Sequence, residues 1–232
     1  MRNLITIIIS TYNSGKTLRR CLESLAIQDF KSFDIILVDN CSEDNTLSIV
    51  ESFKPKLNFT FIISEQDSGI YNAWNKGIKL IKTDWVCFLG SDDFLLHPYV
   101  FSSLSNILLH YPDVNFISAR IQKSARIIGK KFSFFNLFPG MRVAHPLSLV
   151  KLKSMKRRTF DEDFKICSDY FFLFDNFFHI KPFFLNDTIL QMGDSGVSST
   201  LLHISYKEHL LYFRKKSPLL LILYRLYRLI KK

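Results

Sequence analysis

The chain has 232 residues, 47% of them hydrophobic and 15% aromatic, which allows one substantial core and excludes a disordered or low-complexity polypeptide. The formal net charge is +10, but residues 203–232 hold eight Lys or Arg against Glu208 alone, so +7 of that charge sits in the tail. A basic nucleic-acid-binding module would spread its charge over a face and carry a recognisable motif; this chain does neither, so no nucleic-acid partner is expected.

In chain order, the first hundred residues alternate short β-branched runs with helical patterns. "LITIIIS" (4–10), "FDIILVD" (33–39), "FTFIIS" (59–64) and "WVCFLGS" (85–91) read as strands. The amino-terminal stretch "MRNLITIIISTYN" is interrupted by Asn3 and Thr6 and is followed by no small-residue cleavage site, so it reads as a strand rather than a signal peptide. Between the strands, "SGKTLRRCLESLAIQ" puts Leu18, Cys21, Leu22 and Leu25 on one helical face. "SEDNTLSIVESF" opens with good N-cap residues, and "GIYNAWNKGIKLI" supplies a third crossover. Near-continuous apolar strands joined by helices predict an α/β fold, a mostly parallel Rossmann-like sheet covered on both faces. Beyond residue 100 the rhythm breaks. A helix is expected near "YVFSSLSNILLHY", strands near "NFISARI" and "ARIIGKKF", and a helix around "FKICSDYFFLFDNFF". The four cysteines are far apart and form no C-x-x-C pair, the usage of a reduced, cytosolic protein.

In an open parallel sheet, ligands sit at the carboxyl ends of the strands. The residues leaving those ends are Thr11, Tyr12 and Asn13; Asp39 and Asn40; Glu65 to Gly69; and Ser91, Asp92 and Asp93. This edge is acidic and repels a bare diphosphate, but it becomes a diphosphate site once a divalent cation bridges carboxylate and phosphate oxygens. "SDD" also reads as a helix N-cap before "FLLHPYVF", and Asp39 as the end of a strand in an ordinary loop.

The segments "ITIIISTYNSGKTLRRCLESLAIQ", "FDIILVDNCSEDNT", "SEQDSGIYNAWNKGI" and "DWVCFLGSDD" together resemble the family 2 glycosyltransferases of GT-A fold, in the branch that builds bacterial polysaccharides and lipopolysaccharides. "VAHPLSLVK", "FDEDFKICSDYFFL" and "GDSGVSS" continue the resemblance more loosely. The resemblance implies that Thr11, Tyr12 and Asp39 hold a nucleobase, usually uracil. It implies further that Asp92 lies near the ribose, that Asp93 ligates Mn2+ or Mg2+ on the diphosphate, and that Asp67 and Lys76 line the donor pocket. The family's catalytic base matches Asp169 in "CSDYFF", where a helical carboxylate without catalytic duty is the alternative. His145 in "VAHP" resembles a histidine that approaches the metal, although Pro146 stands where glutamine is usual. Asn72 stands where many relatives carry aspartate, and "GDSGVSS" resembles a loop that folds over donor and acceptor.

The implied division is a nucleotide-sugar-binding half at 1–96, an acceptor-binding half at 97–202 and a basic amphipathic tail at 203–232. The tail segment "FRKKSPLLLILYRLYRLIKK" is too short and too charged to span a bilayer, which takes about 20 apolar residues. Its pattern suits a helix lying on an anionic membrane; packing on the domain or on a second copy, as a homodimer, is the alternative. The expected protein is a metal-dependent inverting glycosyltransferase, peripheral on the inner face of the cell membrane. It would move a hexosyl or N-acetylhexosaminyl group from a nucleotide sugar, UDP-linked by expectation, to a glycolipid or lipid-linked oligosaccharide. An inactive GT-A-like scaffold is the alternative. A dehydrogenase would need G-x-G-x-x-G after the first strand, and a nucleotidyltransferase a glycine-rich basic loop there; "STYNSGK" is neither.

Overall fold

The structure is a computed structural model that describes residues 3–138, 140–193 and 202–230. The first half contains β1 (Ile5–Thr11), α1 (Leu18–Ala26), β2 (Phe33–Asp39), α2 (Thr46–Phe53), β3 (Phe59–Ser64), α3 (Ile70–Ile78) and β4 (Trp85–Gly90). The second half contains β5 (Phe94–Leu95), α4 (Val100–His110), β6 (Phe116–Lys123), β7 (Arg126–Ile128), α5 (Phe134–Leu137), β8 (Leu149–Val150), α6 (Ser168–Asp175) and β9 (Pro182–Met192). The chain then continues into α7 (Leu202–Lys216) and α8 (Pro218–Ile230).

One nine-stranded sheet runs through both halves in the order β3-β2-β1-β4-β8-β6-β9-β5, with β7 on β6. β3, β2, β1 and β4 are mutually parallel, β8 is antiparallel to both β4 and β6, and β9 runs parallel to β6. β4 of the first half pairs with β8 of the second, so the halves share their hydrogen-bond ladder, and β5 closes the far edge on β9.

Alternation along the strands sorts the core into two layers. Ile5, Ile7 and Ile9 of β1, with Ile35 and Leu37 of β2, face α1, α2 and α4. Ile8, Ile36, Val38, Val86 and Phe88 face α3, α6 and the tail helices. The second layer is aromatic: Trp74 lies 4.7 Å from Phe88 and 5.2 Å from Phe160 between ring centroids. Cys21, Cys87 and Cys167 are buried in these layers and Cys41 is exposed.

The tail packs on the domain with one side only. Tyr212 and Phe213 of α7 and Tyr224 of α8 are buried in the aromatic layer, and Tyr212 stacks on Phe171 at 3.9 Å. Leu219, Ile222, Leu223, Leu226 and Leu229 of α8 stay 42–69% exposed. At 100° per residue these five fall on one stripe opposite Tyr224. Among the described residues no helix is long and apolar enough to cross a membrane.

Candidate functional site

Register at the carboxyl edge brings the first residues together. Thr11 pairs with Asp39 and Asp39 with Ser64, so the three side chains stand in a row across β1, β2 and β3. Asp39 is fully buried and accepts from Thr11 Oγ1 (2.8 Å), Ser64 Oγ (2.8 Å), Ser42 N (2.9 Å) and Ser42 Oγ (2.5 Å). Two donors on each oxygen offset the cost of burying this polar side chain. Asp39 therefore lies beneath the loops rather than on the surface of the cleft above them.

That cleft has a volume of about 570 Å3 and is lined by Thr11, Tyr12, Asn13, Ser14, Asn40, Asp67 and Asp92, among others. Its loops are tied to one another. Asn13, in the left-handed region at φ 47°, donates its N–H to Ser42 Oγ and accepts from Glu43 N through Oδ1. Asn40 Oδ1 accepts from Asp67 N at 2.8 Å, and Asp67 Oδ1 accepts from Gly69 N at 2.9 Å. Gly69 has φ 133°, a conformation closed to other side chains, and it turns the loop into α3. Burial raises the Asp67 pKa. Lys76 stands behind this loop, paired with Glu65 Oε1 at 2.9 Å and donating to Gln66 O at 2.6 Å.

A second cavity of about 140 Å3 adjoins the cleft, sharing Ile70, Gly90 and Asp92 with it, and holds Asp93, His145, Lys165, Asp169 and Gly193. The "SDD" segment caps no helix: β5 follows it directly. Asp93 is 4% exposed and accepts from Gly90 N (3.0 Å) and Gly193 N (2.9 Å). Burial and then the neighbouring Asp92 charge raise its pKa to about 6. Arg20 donates to Asp92 O at 3.3 Å and lies over the Phe94 ring. Gly193 meets Asp92 so closely that a Cβ there would stand 2.1 Å from Asp92 Oδ2. Gly193→Ala is therefore expected to destabilise the protein by about 1–3 kcal/mol, the usual range for overpacking, as measured by urea denaturation. The rest of "GDSGVSS", residues 194–199, lies outside the described residues.

His145 is 2% exposed and packs its ring against both Trp74 and Phe88, with burial lowering its pKa. Its Nε2 has no hydrogen-bond partner among the described residues. Asp169, in the first turn of α6, accepts on Oδ1 from Tyr71 OH (3.0 Å) and Tyr170 N (2.9 Å), which leaves Oδ2 without a partner among the described residues. Tyr71 OH also lies 2.6 Å from Ile166 O. Burial, and next the Asp169 charge, hold the Tyr71 pKa well above its ordinary value, so the phenol stays a donor. Asn72 and Asn75 each donate to Glu162 at 2.7 Å. An aspartate at position 72 would face that carboxylate with like charge, so the amide suits this chain's own neighbour.

Mn2+ and Mg2+ take hard oxygen donors and, more loosely, imidazole nitrogen. Asp93 and Asp92 supply the carboxylates and the unpartnered Nε2 of neutral His145 a nitrogen on the same cavity wall, so the residues fit such an ion. Among the described residues no three His, Cys, Asp or Glu side chains cluster closely enough to hold a metal by themselves. The ion would therefore need oxygens from a bound ligand. The structure thus brings Thr11, Tyr12, Asp67 and Asp92 into one cleft and Asp92, Asp93, His145 and Asp169 into the adjoining cavity, with Asp39 and Lys76 behind the loops. The sequence reading placed Asn40 at this edge without giving it a role and left out Ser14 and Lys16 as cleft residues. The signal for those two was position alone, directly after β1.

Comparison with known proteins bears on the family and the fold. The family model for "Glycosyl transferase family 2" matches residues 6–179. A PGL/p-HBAD biosynthesis glycosyltransferase of Mycobacterium tuberculosis is 42% identical over 93 residues, 40% of this chain and 36% of that protein. The poly(ribitol-phosphate) beta-N-acetylglucosaminyltransferase TarS of Staphylococcus aureus is 36% identical over 118 residues, 50% of this chain and 21% of that protein. The match thus spans about a third or less of these curated relatives. The crystal structure of TarS 1-349 in complex with UDP superposes with TM-score 0.68 at 26% identity, covering 82% of this chain and 60% of that one. The mannosyltransferase PcManGT of Pyrobaculum calidifontis, solved with GDP-Man and Mn2+, shares the fold with TM-score 0.70 at 19% identity, covering 98% and 70%. With a family model spanning residues 6–179 and neighbours of this architecture, the chain belongs to glycosyl transferase family 2 and has the GT-A fold.

Proposed function

We propose that the protein is a metal-dependent inverting glycosyltransferase that takes a sugar from a UDP-sugar and adds it to a lipid-linked or surface-polysaccharide acceptor. The observation that carries this reading is the meeting of cleft and cavity at Ile70, Gly90 and Asp92, which sets a site sized for a nucleotide against Asp169, whose Oδ2 has no partner among the described residues. In this reading Thr11, Tyr12 and Asn40 take the nucleobase, with Asp39 fixing Thr11 from below. Asp67, kept in place by the Lys76-bound loop, and Asp92 take the ribose side. Asp93 and His145 hold Mn2+ or Mg2+, which when bound would neutralise the charge of the departing diphosphate. Asp169 Oδ2 takes the proton of the acceptor hydroxyl as its oxygen attacks the anomeric carbon from the face opposite the diphosphate, so one displacement inverts that centre. UDP in a TarS structure supports the nucleotide, and the Mn2+ of PcManGT is in keeping with the metal.

Calorimetric titration of UDP, GDP and dTDP with and without Mn2+ tests the donor half. UDP is expected to bind only with the metal and to lose that binding in Asp93→Ala; silence of all three nucleotides would refute the reading.

The exposed stripe on α8, flanked by Arg225 and preceded by exposed Arg214 and Lys215, supports an acceptor held at an anionic membrane surface, with the protein peripheral on its inner face. Ile222 and Leu226 are 54% and 51% exposed, so changing them leaves the fold intact. Ile222→Asp with Leu226→Asp is expected to lower partition onto phosphatidylglycerol vesicles by at least tenfold in a sedimentation assay, since each buried aliphatic side chain contributes about 1.5–3 kcal/mol.

A further inference from the structure

The tail helix α7 grips α6 at both ends. At the far end Asp175 accepts from Tyr212 OH and pairs with Lys216 Nζ. At the near end Glu208, 5% exposed, accepts three successive backbone N–H groups: Lys165 at 2.6 Å, Ile166 at 3.2 Å and Cys167 at 2.9 Å. These amides immediately precede α6, whose second residue is Asp169. Lys165 and Ile166 also line the inner cavity beside it.

The Ile166–Cys167 peptide is held from both sides, its N–H, that of Cys167, by Glu208 and its carbonyl, that of Ile166, by Tyr71 OH, the hydroxyl that also reaches Asp169 Oδ1. The route from the tail to Asp169 is thus continuous: carboxylate, peptide, phenol, carboxylate. A charged acceptor serving three amides is a strong anchor, because each bond is charge-assisted and loss of the carboxylate leaves three buried or half-buried donors unsatisfied. Its negative charge at the start of α6 is favourable to that helix as well.

We infer that Glu208 is a positioning residue for sugar transfer: through the 165–167 backbone and Tyr71 it fixes Asp169 and the wall on which the acceptor lies. The inference rests on Asp169 as the base. It makes the tail part of the transfer site as well as a route to a surface. A misplacement of about 1 Å in a reacting group costs on the order of a hundredfold in rate, so the anchor matters to turnover more than to nucleotide binding.

The test compares full-length Glu208→Ala, Glu208→Gln and Lys216→Ala with the parent chain. Readouts are the Kd for UDP with Mn2+, the kcat and KM for release of sugar from a UDP-sugar, and hydrogen exchange of residues 165–170. Glu208→Ala is expected to lower kcat about a hundredfold with the Kd for UDP held within about twofold. Exchange of the Lys165, Ile166 and Cys167 amides should accelerate at least tenfold. Glu208→Gln, which keeps one carbonyl acceptor, should recover roughly tenfold in kcat, and Lys216→Ala should change neither kcat nor these amides. Parallel loss of UDP binding and kcat, or unchanged exchange at the three amides, overturns the inference. If the parent chain releases no sugar, the enzymatic reading fails, and unchanged or accelerated exchange still decides whether Glu208 holds this segment. If Glu208→Ala does not fold, Glu208→Gln carries the same comparison.

Discussion

Asp169→Asn is expected to lower sugar transfer by about 10²–10⁴-fold, the range general-base catalysis supplies, while leaving the Kd for UDP with Mn2+ within about twofold. Asparagine keeps the volume and the Oδ1 acceptor that Tyr71 OH and the Tyr170 amide require, so α6 retains its first turn. It loses only the second oxygen, the one without a partner among the described residues, and with it the capacity to take a proton. Asp169 lines the inner cavity and is absent from the cleft wall, which is why the two measurements should separate. Initial rates of sugar transfer, paired with calorimetry on the same preparation, read both. If Asp169→Asn kept more than a tenth of the parent activity, the base would lie elsewhere. Glu162 is then the next carboxylate to test. Its hydrogen bonds from Asn75 and Asn72 hold its pKa low, which makes it a weaker base and a better structural acceptor.

The first half of the molecule was legible because its physics is local. Alternation in "ITIIIST" and "FDIILVD" places every second residue on one layer, and both layers are apolar, so the strands read as continuous runs that only a covered parallel sheet accommodates. Residues that leave such strands must meet at one edge, so Thr11, Asp39, Asp92 and Asp93 could be grouped before any coordinates were known. What sequence could not convey was depth. Nothing in "LVDN" distinguishes Asp39, sunk under four donors, from Asn40, which faces the cleft. That order depends on the register between β1, β2 and β3.

The second half was harder for a different reason. β9 is the longest strand, yet its sequence "PFFLNDTILQM" carries Asn186, Asp187 and Thr188 in the middle, where the pairing with β6 shifts register, so no period survives to be read. β5 and β8 are two residues each, and they form only against longer strands, β8 between β4 and β6 and β5 at the edge on β9. The tail shows a mixture of both cases. Its apolar breadth was visible, and the structure resolves it into an inner face at Tyr224 and an outer stripe from Leu219 to Leu229. Glu208 was counted merely as the one acidic residue of a basic segment. Its three amide contacts bridge more than forty residues and leave no trace in local pattern.

The affinity of the protein for a UDP-sugar with Mn2+ is expected to weaken about tenfold for each pH unit below 6 and to level off above it, because metal and proton compete for Asp93. A UDP-sugar is the right probe, since its diphosphate, unlike the terminal phosphate of UDP, has no ionisation near pH 6 to confuse the curve. Without metal the same group acts on stability with a definite sign. Burial raises its pKa from 3.8 to about 6, so the folded protein binds more protons than the unfolded chain between those values. The stabilisation from the protonated carboxyl is fully present below pH 3.8 and is lost as pH rises through 6, a swing on the order of 3 kcal/mol. Urea denaturation of the metal-free protein across pH 4–7 should show this fall, and Asp93→Asn should flatten it. Adding Mn2+ and the UDP-sugar should restore stability above pH 6 in the parent and leave Asp93→Asn unchanged, because only an ionised carboxylate gains a cation. An affinity constant from pH 5 to 7.5 would remove Asp93 from the metal site. The acidic pair that ends β4 would then need another reason for its two adjacent charges.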